Sequence, residues 1–63
     1  MSDAGEVVPI GVVVNDAGDS VAVGLQDGKV HLEVASEARE PVEVWLSQAD
    51  AAGLAEVLRR ATT

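Results

Sequence analysis

Apolar and polar residues alternate through most of the chain. In Val21–Gln26, Val21, Val23 and Leu25 share one parity and Ala22, Gly24 and Gln26 the other. In Lys29–Ala35, Val30, Leu32 and Val34 alternate with Lys29, His31 and Glu33. A period of two marks half-buried strands. Between the runs stands Asp27-Gly28, a pair suited to a type I′ hairpin turn, where both central residues need positive φ. Setting Gln26 opposite Lys29 pairs Leu25 with Val30, Val23 with Leu32 and Val21 with Val34 on one side. Gly24 then faces His31, and Ala22 faces Glu33, on the other. A slip of one residue would turn one strand's valines to the wrong face.

Val7–Val14 reads as a further strand, with Val8, Ile10, Val12 and Val14 on one face and Val7, Pro9, Gly11 and Val13 on the other. Pro9 cannot donate to a ladder, which makes this an edge strand or else points the missing N–H of Pro9 outward. Asn15-Asp16-Ala17-Gly18-Asp19 is a polar turn, and Ser36–Pro41 a charged connection. Val42–Leu46 alternates again, Val42, Val44 and Leu46 inward, Glu43 and Trp45 outward. The period then lengthens to 3.6. Ser47 suits an N-cap, with Asp50 in the first turn. Ala51, Leu54, Ala55, Leu58 and Ala61, flanked by Val57, form an apolar stripe, and Arg59 and Arg60 suit the carboxy-terminal end. The pattern predicts an α+β fold: a four-stranded antiparallel meander with one C-terminal helix packed on the Val/Leu face, a ββββα two-layer sandwich. Residues 7–63 form a single domain after a flexible N-terminus, Met1–Glu6.

Leu46-Ser47, Ala51, Leu54-Ala55, Leu58 and Ala61 carry a resemblance. The segment Val42–Ala61 resembles the ending of small strand-meander-plus-helix proteins of actinobacteria and their phages. The resemblance implies an architecture and supplies no activity, cofactor or site residue. A composition rich in Val, Ala and Gly, with Arg outnumbering Lys and with little Ile, Phe or Tyr, agrees with a GC-rich genome.

Composition narrows the function classes. The 63 residues include no cysteine, so neither a disulfide nor a thiolate metal site can supplement a small core. The apolar 48% is mainly valine and alanine, which bury little area each. Chains this small without staples gain stability by association, which predicts a homodimer. Eleven carboxylates against four basic residues leave a net charge of −7. Such a surface repels phosphate, so neither nucleic acid nor an anionic membrane is an expected partner. The start of the chain lacks the basic and long apolar regions of a signal peptide, which makes the cytoplasm the expected compartment.

Three features could carry chemistry. Continuing the register sets Gly11 opposite Gly24 and His31 opposite Trp45, on an outer face that also carries Ala22 and Val13. Small residues beside an exposed tryptophan make a recess next to a knob, which suits a protein interface; the contact residues are then Trp45, His31, Gly24, Gly11, Ala22 and Val13. The alternative is that Trp45 is filler over the bare Gly24 backbone. His31 with Glu33 and Glu43 is a thin metal set, since zinc sites offer three or four ligands at better-defined spacing. The Asn15–Asp19 oxygens lack the alternating acidic spacing of a calcium loop, and turn chemistry accounts for them. No phosphate loop, nucleophile elbow or histidine-containing triad is present. The chain is therefore expected to be no enzyme and to need no cofactor or metal. Its expected role is a small acidic protein–protein interaction or accessory module, a homodimer that uses the outer sheet face around Trp45 and offers that face or a strand edge to another protein. The alternative is an acidic nucleic-acid mimic, of the kind a phage encodes, that inhibits a basic host protein.

Overall fold

In a computed structural model, which describes residues 6–62, β1 (Val8–Val14), β2 (Ser20–Gln26), β3 (Lys29–Ser36) and β4 (Arg39–Leu46) form one antiparallel sheet in chain order. The helix α1 (Gln48–Ala61) follows. This is the expected ββββα arrangement. The expected flexible N-terminus lies, Glu6 aside, outside the described residues.

The central hairpin has the register its turn demands. Asp27 and Gly28 have φ of 53° and 78°. Gln26 faces Lys29, and each pair outward follows in step to Ser20 opposite Ala35. Across the next ladder His31 faces Trp45 and Glu33 faces Glu43. The β1–β2 loop is closed by Asn15, whose Oδ1 accepts from the N–H groups of Ala17 at 2.9 Å and Asp19 at 3.0 Å. Gly18, at φ of 90°, completes that turn.

Both edge strands depart from simple counting, and each departure lies beside a proline. Pro9 offers no N–H to the ladder, Ile10 is skipped, and pairing resumes with Gly11 opposite Val23. The bulge shifts the phase of β1 by one residue. Gly11 and Val13 therefore share a face with Val23 and Val21, while Val12 joins Ala22 and Val14 joins Ser20. The expected pairing of Gly11 with Gly24 is corrected; Pro9 takes that place. At the other edge β4 begins at Arg39 rather than Val42, because Glu37-Ala38 turns tightly enough for Ser36 to pair with Arg39. A second irregularity leaves Ala35 against Glu40 and Pro41 before Val34 meets Val42.

The helix is capped as its sequence predicts. Ser47 Oγ accepts from the Asp50 N–H at 3.1 Å. Gln48 Nε2 donates to the Gly28 carbonyl at 2.7 Å, tying the helix start to the hairpin turn. From there α1 approaches β3 and β4 but, among the described residues, neither β1 nor β2. Ala51 and Leu54 are half-buried, whereas Val57 and Leu58 stay 52% and 56% exposed. Coverage of the valine face is correspondingly partial. Val23, Leu25, Val30, Leu32 and Leu46 are half-buried; Val8, Val13, Val21, Val34, Val42 and Val44 are exposed. No hydrophobic side chain among the described residues is buried. The radius of gyration, 13.1 Å, is that of a compact domain of about 100 residues.

Candidate interaction surface

Opposite the valine face the sheet presents Trp45, and its neighbours follow from the pairing. His31 stands across from both Trp45 and Gly24, and Glu33 stands across from both Glu43 and Ala22. The His31 and Trp45 rings lie with centroids 4.4 Å apart and planes tilted by 45°. His31 Nε2–H donates to Glu43 Oε1 at 3.1 Å, and its side chain is only 13% exposed. That bond offsets the repulsion expected of Glu33 and Glu43 set face to face. Trp45 packs against the imidazole on one side and remains 45% exposed.

Gly24 is the single buried residue among those described. The space a Cβ would need there is taken by Val7 Cγ1, with the Val8 carbonyl oxygen 3.3 Å away. Val7, not Trp45, is thus the filler over this glycine. Trp45 borders an open recess of about 480 Å³ lined with Gln26, Asp27 and Lys29. The space over Gly24 expected to form a recess is filled by Val7, and the hollow beside the exposed Trp45 lies at the hairpin turn instead. Gln26 and Lys29 share the parity of Trp45 in the predicted register, so counting alone could have found them.

Of the six expected contact residues, Trp45, His31, Gly24 and Ala22 share this face. Gly11 and Val13 do not, because the β1 bulge turns them to the valine face. Val12, paired with Ala22, takes their place here and is 61% exposed. Among the described residues no group of three or more His, Asp or Glu side chains is arranged to hold a metal ion. No described helix is long and apolar enough to cross a membrane. Comparison with known proteins finds no family model, curated protein or solved structure that matches this chain.

Proposed function

We propose that this chain is a self-associating protein–protein interaction module, in which association supplies the core and the Trp45 face is offered to a protein partner. One observation carries the reading: a chain that is 48% apolar leaves every hydrophobic side chain among its described residues half-buried at best. A stable fold requires fuller burial, because it is the main term opposing chain entropy. A second polypeptide is its natural source. The Trp45 face fits the other role, an amphipathic aromatic flanked by hydrogen-bonding groups beside an open recess.

Light scattering at micromolar concentration tests the first half. Twice the chain mass of 6.5 kDa is expected, and a folded monomer would refute the reading. Trp45→Ala tests the second half: it should keep the far-ultraviolet circular dichroism and the associated mass while weakening capture of a partner from the native host. Loss of fold on that substitution would show that Trp45 serves the core.

A further inference from the structure

We infer that the valine face is closed by a second copy of this chain, whose α1 lays its carboxy-terminal half over β1 and β2 of the first. The inference rests on the self-association reading above and assigns the surfaces that meet. Area is the first support. The accessible surface is 4916 Å², against roughly 3,800 Å² for a folded monomer of this mass. The exposed surface leaves room for the about 800 Å² that each partner contributes to a standard interface.

Complementarity is the second. Val8 and Val13 on β1 are 57% and 71% exposed, at the edge of the valine face that α1 does not reach. Val57 and Leu58 are equally bare. These two incomplete apolar surfaces do not meet within one chain. Two-fold symmetry lets each complete the other, every contact occurring twice.

Exclusion is the third. Edge-to-edge pairing is opposed on both sides of the sheet, by Pro9 and its bulge in β1 and by Pro41 and its irregularity in β4. The Trp45 face carries Lys29, Glu33 and the His31–Glu43 bond, whose burial would cost more than burial of valines. Among the described residues the valine face meets such groups only at its end beyond Val34 and Val42, where Ser36 pairs with Arg39 and Asp19 and Glu40 stand nearby.

The chain has no cysteine, so thiols can be placed at will. A Val13→Cys chain and a size-tagged Leu58→Cys chain are unfolded together, refolded and treated with a short bis-maleimide. Val12→Cys replaces Val13→Cys as the control, since it lies on the same strand and faces the opposite way. Most of the mixed cross-linked product should come from the Val13→Cys pairing and little from the control. Preferential linkage through Val12→Cys would put the helix on the Trp45 face and overturn the proposal. Products joining only two Val13→Cys chains would overturn it too, since they mark sheets stacked face to face. In either case the doubled mass persists and self-association stands; a folded monomer defeats both readings.

Discussion

Leu58→Ala separates a single-chain fold from a shared one. In one chain Leu58 is already 56% exposed. Full burial of a leucine side chain is worth about 1.5–3 kcal/mol, so a monomer with less than half of that burial would lose roughly 1 kcal/mol. If a second copy covers the helix, the same truncation empties an enclosed site at about 2–5 kcal/mol. Symmetry applies that loss twice. Even its lower bound, about 4 kcal/mol for the pair, weakens association roughly a thousandfold. The assay is urea unfolding followed by circular dichroism, at micromolar protein and again after strong dilution. The parent's midpoint should rise with concentration, because association binds the folded form only. Leu58→Ala should lower the midpoint at both concentrations and unfold the diluted sample in buffer. A concentration-independent parent midpoint, with Leu58→Ala costing roughly 1 kcal/mol or less, would refute the reasoning.

Gly28→Val should lower the unfolding midpoint. A Cβ there meets nothing within 4 Å but sits at φ of 78°, so the loss is backbone strain of at least about 1–2 kcal/mol, and an unchanged midpoint would mean the turn does not form. Asp27→Asn should leave the midpoint close to the parent's, since asparagine tolerates the same conformation. Gly53→Ala also places its Cβ in open space, but within a helix, and should stabilise by about 1 kcal/mol in the same assay. Each chain carries a charge of −7, so added salt should tighten self-association as measured by sedimentation; weakening with salt would point to an interface of opposite charges.

The hairpin was legible because its conformation is decided locally. Asp27 and Gly28 accept positive φ, the two valine alternations fit one register, and the opposition of His31 to Trp45 follows by counting. Ser47 and the change of period likewise marked the helix, since capping and amphipathicity are properties of a few neighbouring residues. Phase in β1 was not legible. Pro9 announced an edge, but which residue drops out of a ladder is settled between two strands, and skipping Ile10 moved Gly11 and Val13 to the other face. The charged stretch before Val42 similarly concealed the start of β4, because strand pairing with Ser36 overrode its loop-like composition. The path of α1 belongs to tertiary structure for a deeper reason. Its stripe specifies which side must leave water, but hydrophobic attraction has no direction and does not say which surface it meets. Only the fold shows that α1 reaches β3 and β4 and leaves the valines of β1 bare.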